Sequence, residues 1–321
     1  MFAARGIAVS LSMFVIVYCV LSLAVACSWR RAWVRALRLS VRRATGMLFA
    51  LRMFPLLTAA WITVTLTVPS FLLLEPRATD EPVGGVVLLA LDAGGLILGL
   101  VGIMNAAIAL RRASRAVAEW TCGARPAESA SSVPVLTISP TSPTMTATGI
   151  LRPRILLSCA AELQLTSGEL QAALNHELAH VRRADNLKKL LMRFVAFPGM
   201  RGLEAAWLET SEMAADDGAV ATTRDSLDLA AALLKLSRMV PEAATTDLTA
   251  ALVRSPASAV QARVERLLAW GEEGGVGAGK HSRWYGLSCG LAATFAAIAI
   301  FALSYSQLLV DVHTLTEWLV R

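Results

Sequence analysis

The stretch Asn175-His176-Glu177-Leu178-Ala179-His180-Val181 decides the fold of the domain around it. Its two histidines are four residues apart, so on an α-helix they lie within about 40° of each other. That spacing lets both imidazoles bind one zinc ion, and Glu177 lies one step around the helix, where it can contact a water on the metal. A surface helix whose histidines have no function is the alternative. The H-E-x-x-H pattern favours a catalytic metal site with Glu177 as its base.

Sequence signals on both sides of the motif predict a long helix. Thr166-Ser167-Gly168-Glu169 reads as a capping box, with Thr166 as the N-cap and Glu169 at the third helical position. The helical pattern then continues unbroken to about Phe194, and Pro198-Gly199 ends it. Both histidines therefore lie well inside a helix.

A third zinc ligand is expected from the next helical stretch, Leu203 to Ala221. Glu212 and Asp216 are four residues apart and share one face of that helix. If the two helices pack antiparallel, Glu212 completes a His, His, Glu set. Asp216 can then accept the second ring N–H of a ligand histidine. A solvated acidic face is the alternative for such a pair.

The composition indicates a membrane protein. Hydrophobic residues make up 55% of the chain and the mean hydropathy is +0.57. Apolar runs long enough to cross about 30 Å of hydrocarbon predict four membrane spans, at residues 6–27, 47–74, 83–110 and 284–309. The first run has a barely basic pre-sequence, which favours a membrane anchor over a signal peptide. The five cysteines form no C-x-x-C pair, which argues against a disulfide framework.

Arginines give one consistent topology. Loop 28–46 contains six arginines and no acidic residue, and Arg111, Arg112 and Arg115 close the third span. The positive-inside rule places both segments in the cytoplasm, and loop 75–82 and the N-terminus outside. Binding of nucleic acid is the other interpretation of a basic run, but the topology explains it more simply, and we expect no direct nucleic-acid binding. Arg52 is expected to snorkel at the cytoplasmic end of the second span.

Between the spans and the motif, the residue pattern changes period. Residues 116–133 read as a linker. Three short strands then follow, at residues 135–138, 144–148 and 154–158, separated by Ser-Pro and Arg-Pro turns. After the Glu212 helix, Asp225-Ser226 is a fair N-cap for a helix through Met239, and another helix is predicted from Ala257 to Trp270.

At these residues the chain resembles the membrane-bound peptidases of the BlaR/MecR type, the antibiotic-sensor antirepressor proteases. The resemblance lies in the run His176 to Asp185, in Glu212-x-x-x-Asp216, and in Gly149-Ile150-Leu151-Arg152-Pro153-Arg154-Ile155-Leu156-Leu157. It covers the peptidase domain and the pattern of spans. The more distant HtpX-type membrane proteases share the H-E-x-x-H and E-x-x-x-D pair.

The resemblance implies a bacterial zinc metalloendopeptidase of the gluzincin type in the cytoplasmic membrane, with one zinc ion held by His176, His180 and Glu212. Glu177 would be the catalytic base. Asp216 and Asp185 would support the ligands from outside, Asp185 on the resemblance more than on its chemistry. The substrate would be a cytosolic protein that adds as a strand to the edge of the sheet. A winged-helix transcriptional repressor is one candidate, and cleavage would serve signal transduction.

The expected fold is a mainly α integral membrane protein with four transmembrane helices and a cytosolic, zincin-like α+β metallopeptidase domain that contains a small sheet. Three spans in residues 1–115, the linker 116–133 and the peptidase domain 134–270 are followed by a linker 271–283, the fourth span 284–309 and a short external tail 310–321. The chain is expected to lack the C-terminal sensor domain of the BlaR/MecR sensors.

Two other functions stay open from the sequence. One is an HtpX-like protease that clears damaged membrane proteins. The other is a non-catalytic sensor or scaffold that keeps zinc for structure, although a purely structural site has no need of Glu177. Besides the lipid bilayer, the spans offer a partner surface: Gly95-x-x-x-Gly99 and Gly286-x-x-x-Gly290 are small-xxx-small patterns, which predict packing of the third span on the fourth and allow self-association.

Overall fold

The structure is a computed structural model, and it describes residues 2–76, 85–127, 131–140, 144–195, 197–239, 250–251, 257–272 and 301–318. The chain divides into two compact units. A membrane unit comprises residues 1–27, 53–100 and 277–321, and a second unit comprises residues 28–52 and 101–276.

Three helical segments of the described chain are long and apolar enough to cross a membrane. They are α1 (Phe2–Ala36), the segment Val41–Leu74, and α4 (Val86–Trp120). The middle segment consists of α2 (Val41–Ile62), a π-helical turn (Thr63–Thr67) and α3 (Val68–Leu74). A membrane-spanning α protein is therefore confirmed.

The helices extend beyond the predicted apolar runs. The basic loop expected at 28–46 is mostly helical, because α1 continues to Ala36 and α2 begins at Val41. Arginine, alanine and leucine are good helix formers, so a change in polarity does not end the helix. Most of the predicted fourth span, 284–309, lies outside the described residues. Residues 301–318 form a helix, α11, which continues past the predicted end of that span into the expected tail.

Within the membrane unit, α11 runs parallel to the second helical segment. The hydroxyl of Tyr305 donates to the carbonyl of Thr65 at 2.8 Å, and Ser70 donates to the carbonyl of Leu309 at 2.9 Å. Because both sets of residue numbers rise together, the two helices point the same way.

The third membrane helix contacts the first. A Cβ built at Gly95 of α4 would lie 2.6 Å from Val15 of α1, and Ser12 donates to Asp92 at 2.9 Å. Asp92 therefore obtains a polar partner inside an apolar helix pair, as a carboxyl group there requires. No atom of the described residues lies within 4 Å of a Cβ built at Gly99. The predicted packing of the third span on the fourth stays a prediction, because Gly286 and Gly290 lie outside the described residues.

A small mixed sheet lies in the second unit, as predicted. Its strands are β1 (Arg125–Pro126), β2 (Val135–Ile138), β3 (Met145–Thr148), β4 (Arg154–Ser158) and β5 (Ala250–Ala251), in the order β1-β2-β4-β3-β5. β2 and β4 are parallel, and β3 is antiparallel to both β4 and β5. The two-residue strands β1 and β5 were not predicted, because two residues are too few to show the alternation of apolar and polar side chains that indicates a strand.

Six helices that lie wholly within the described residues of the second unit accompany the sheet. They are α5 (Cys159–Gln164), α6 (Ser167–Arg182), α7 (Asp185–Phe194), α8 (Arg201–Ala219), α9 (Thr223–Ser237) and α10 (Ala257–Glu272). α6 packs on β3, α8 and α9, and α9 packs on α10. The buried core lies between the sheet and these helices, where Met145, Ile155, Leu229 and Leu233 are fully enclosed.

Two predicted helix boundaries are wrong. The predicted capping box at Thr166 and Glu169 is present, but the helix does not run unbroken to Phe194. It ends at Arg182, and Ala184 takes a left-handed conformation with φ 52° before α7 begins. The N-cap of α9 is Thr222, not the predicted Asp225-Ser226. The Thr222 hydroxyl accepts a hydrogen bond from the backbone N–H of Asp225, and the Asp225 carboxylate accepts one from the backbone N–H of Thr222, so these two residues form a second capping box.

Helix α8 is held by the first part of α2. Arg52 does not snorkel, because its side chain is 2% exposed and its guanidinium donates to Glu204 at 3.0 Å and to the carbonyl of Val195. A buried guanidinium is stable only with such partners. Thr45 donates to the carbonyl of Thr210 at 2.9 Å. These bonds tie α2 to the helix that contains Glu212.

Candidate metal centre

Three buried side chains converge on one point. The Nε2 atoms of His176 and His180 lie 3.2 Å apart on consecutive turns of α6. Glu212 enters from α8, with one carboxylate oxygen 3.7 Å from the Nε2 of His176 and the other 3.6 Å from the Nε2 of His180. Two imidazoles and one carboxylate around one point are the protein ligands of many catalytic zinc sites, which keep a fourth position open. The donor set thus fits zinc.

A carboxylate lies beside the Nδ1 atom of each imidazole. Asp216 Oδ1 lies 2.9 Å from the Nδ1 of His176, and Asp185 Oδ2 lies 2.8 Å from the Nδ1 of His180. A proton held on each Nδ1 leaves the lone pair of Nε2 directed at the centre, which is the tautomer that a metal requires. Asp185 reaches His180 only because the chain breaks at Ala184, so the unpredicted break is part of the site.

Glu177 is completely buried beside the ligands. Its Oε2 accepts a hydrogen bond from the backbone N–H of Ala147 in β3 at 2.6 Å. Its Oε1 has no hydrogen-bond partner among the described residues. Burial raises the pKa of this carboxyl, although the two histidines act against the shift. A buried carboxylate with one free oxygen and a raised pKa suits a group that takes a proton from water.

Arg263 of α10 is a site residue that was not predicted. Its guanidinium donates to both oxygens of Asp216, at 2.8 and 2.7 Å, and to Glu212 at 3.2 Å. Although burial acts to raise it, this guanidinium holds the pKa of Asp216 well below its usual range. The sequence feature that could have identified Arg263 is its position within the apolar stripe of α10 formed by Val260, Val264 and Leu267, where a charged side chain needs a buried partner.

Asn186 also escaped prediction. Its side-chain amide donates to the carbonyls of Ala147 and Gly149, at 3.1 and 3.2 Å. Glu177 and Asn186 therefore bind the same residue of β3 from α6 and α7. These bonds fix the end of β3 beside the metal centre.

Metal binding should depend on pH. Burial acts to lower the pKa of His180, but Glu212 and the hydrogen bond to Asp185 prevail and raise it to about 9 in the metal-free protein. A metal ion bound by His180 would therefore have to displace one proton at neutral pH, and its affinity should rise about tenfold per pH unit until the pH passes that value. Competition with a chromophoric chelator at several pH values measures this slope. A flat profile from neutral pH to the pKa of His180 would contradict the proposed ligand.

The comparisons with known proteins concern the same part of the chain. The sequence pattern of the family described as BlaR1 peptidase M56 matches residues 77–267. The matched region is more than half of the chain and includes His176, Glu177, His180, Glu212 and Arg263. No curated protein matches the chain.

Proposed function

Because the chain belongs to the BlaR1 peptidase M56 family, we propose that it is a zinc-dependent endopeptidase that cleaves a cytosolic protein from a membrane-bound position. The single observation that carries this proposal is the convergence of His176, His180 and Glu212 next to the buried carboxylate of Glu177. A structural zinc site closes all four positions with protein ligands and has no use for such a base.

Each residue of the centre has a distinct role in the proposed reaction. A bound zinc ion would polarise the scissile carbonyl and lower the pKa of an attacking water to about 7. Glu177 accepts the proton of that water and then gives it to the leaving amine. Asp216 and Asp185 hold the two imidazoles in the tautomer that binds metal. Arg263 balances the charge of Glu212 and Asp216.

The substrate backbone is proposed to lie along β3. The hydrogen bond from Ala147 to Glu177 brings this strand into direct contact with the catalytic carboxylate. In the described part of the chain, the side of β3 away from β4 pairs with the two-residue strand β5, at Thr146 and Ala147. An extended peptide that pairs with a strand forms main-chain hydrogen bonds whatever the sequence of the peptide. This mode of binding therefore suits a peptidase, which must hold the backbone of its substrate.

The orientation of the peptidase domain can be tested with reporter fusions. The arginine-rich segments support a cytosolic position for the peptidase domain that follows Arg111. Fusions placed after Ser28 and after Arg115 should report as cytoplasmic, and a fusion near Asp80 should report as external. If the fusion after Arg115 were exported, cleavage of a cytosolic regulator would be excluded.

The family supports a regulatory substrate, and we propose a cytosolic transcriptional repressor. The test compares newly formed protein N-termini in cells that express the wild-type chain with those in cells that express Glu177→Gln. A DNA-binding regulator cleaved only in wild-type cells is the expected result. Accumulation of damaged membrane proteins in the variant, with every regulator intact, would instead identify a quality-control protease.

A further inference from the structure

Helix α7 exposes an apolar stripe next to the metal centre. Leu187, Leu191 and Phe194 are 40%, 38% and 37% exposed, and their spacing of four and three residues places them on one face. The buried residues Asp185 and Met192 belong to the rest of the helix. Leucine and phenylalanine in a row on an amphipathic helix are typical of a surface that contacts another apolar phase.

The position of α7 along α4 relates this stripe to the membrane. The carbonyl of Phe194 lies so close to Gly102 of α4 that a Cβ there would clash. Leu190, one turn earlier, lines a groove together with Leu110 of α4. Gly102 is eight residues before Leu110, or about 12 Å along the helix axis. The apolar run of α4 ends at Leu110. Because the end of α7 contacts α4 at Gly102, inside that run, α7 extends past the polar end of the run and toward the hydrocarbon.

The turn between β3 and β4 meets α4 at the same boundary. Leu151 is 94% exposed at the tip of this turn. With Gly149 and Ile150 it lines one wall of the groove, and the opposite wall runs from Leu110 to Val117 of α4. The groove has a volume of about 490 Å³ and an almost entirely apolar lining. An exposed leucine is unremarkable alone, but here it adjoins an apolar groove and a membrane helix.

Basic side chains surround this apolar surface. Two arginines follow the tip of the turn and two follow the apolar run of α4, and all four are exposed: Arg152, Arg154, Arg111 and Arg112. A leucine tip and an apolar helix stripe bordered by guanidinium groups match a leaflet of anionic phospholipid, whose acyl chains lie beneath a layer of phosphates. The charge and the depth along α4 both favour lipid as the neighbour.

We propose that the lipid-contact surface, formed by Leu151 and the α7 stripe, inserts into the anionic phospholipid leaflet on the peptidase side of the membrane, with the four arginines against lipid phosphates. The insertion bears on the metal centre, because α7 begins at Asp185, which holds His180. Asn186 connects the same helix to β3. The proposal goes beyond peptide cleavage and does not depend on it.

The test places a polarity-sensitive fluorophore on the full chain in vesicles of phosphatidylcholine and phosphatidylglycerol. Leu151→Cys and Leu191→Cys are labelled in a chain whose native cysteines are replaced by serine. Leu163→Cys is the matched control, since Leu163 is 87% exposed and lies beyond the other end of β4. Quenching by a nitroxide on the lipid acyl chain should be roughly tenfold stronger at 151 and 191 than at 163, and quenching by iodide correspondingly weaker. Equal quenching at the three positions would overturn the proposal.

Two further arms test the charge and the identity of the neighbour. Arg152→Gln with Arg154→Gln should reduce the lipid quenching at 151 in vesicles that contain phosphatidylglycerol, whereas Arg125→Gln on β1 should not. Lipid quenching that is the same in the double variant would contradict the role of the arginines. The last arm dilutes the protein in lipid, which separates copies of the chain from one another. If positions 151 and 191 then lost their protection from iodide, the neighbour would be a second copy of the chain, and the lipid assignment would be overturned.

Discussion

Replacement of Glu177 by glutamine is expected to lower the rate of peptide cleavage by about 10³-fold while one zinc ion stays bound. Glutamine has nearly the same shape and can keep a contact with the N–H of Ala147, but it cannot accept a proton from water. The loss should therefore appear in kcat, with little change in zinc content or thermal stability. Single-turnover cleavage of a peptide by the purified chain, together with zinc analysis, measures both quantities.

Glu209→Gln is the matched control. Glu209 lies on the exposed face of α8, one turn before Glu212, and its loss should leave both cleavage and zinc binding unchanged. If Glu177→Gln retained wild-type cleavage, Glu177 would not be the base, and the proposed mechanism would fail even with the metal in place.

Replacement of Arg263 by glutamine should weaken zinc binding about 10–100-fold and destabilise the fold by about 3–5 kcal/mol. The variant leaves Asp216 buried without its two charge-assisted bonds, and Glu212 loses the hydrogen bond that Arg263 donates. Unpaired, Asp216 would gain a proton more readily and hold His176 less firmly. Arg263 is thus a positioning residue that acts through the carboxylates.

Zinc affinity and unfolding by urea should be measured on the same protein, because loss of packing alone would lower stability without a specific effect on the metal. Arg266→Gln is the control on the same helix, since Arg266 pairs with the partly exposed Asp217 and donates to the carbonyl of Met213, and among the described residues no ion pair joins it to Glu212 or Asp216. Arg263→Lys should recover only part of the affinity, because lysine cannot bind both carboxylate oxygens as a fork. Wild-type zinc affinity in Arg263→Gln would refute the positioning role.

The sequence predicted the three residues that converge on the centre, because their spacing carries the geometry. Four residues on a helix return a side chain to the same face, so His176 and His180 had to be neighbours if the helix formed. The same rule placed Glu212 and Asp216 together. The structure brings His176, His180 and Glu212 to one point and places Asp216 against His176, while their roles in binding and catalysis stay predictions for the experiments above.

Contacts that depend on tertiary structure could not be predicted. Ala184 gave no sign of a helix break, because alanine is the best helix former, yet its left-handed conformation is what turns Asp185 back to His180. Arg263 reaches the site from a helix that follows in sequence by about fifty residues, and no spacing rule connects the two. Arg52 was expected to snorkel because the sequence shows a charged residue at the end of an apolar run. The sequence does not show that another helix covers Arg52 and pairs it with Glu204.

Zinc K-edge X-ray absorption on the purified full chain tests the central claim most directly. The account predicts one zinc ion per chain, with two imidazole nitrogens at about 2.0–2.1 Å and a carboxylate oxygen at about 2.0–2.2 Å, and the same spectrum for Glu177→Gln. In His180→Ala and in Glu212→Ala this signal should be lost. A sulfur ligand, or an unchanged spectrum after loss of either residue, would place the metal elsewhere and contradict the proposed centre.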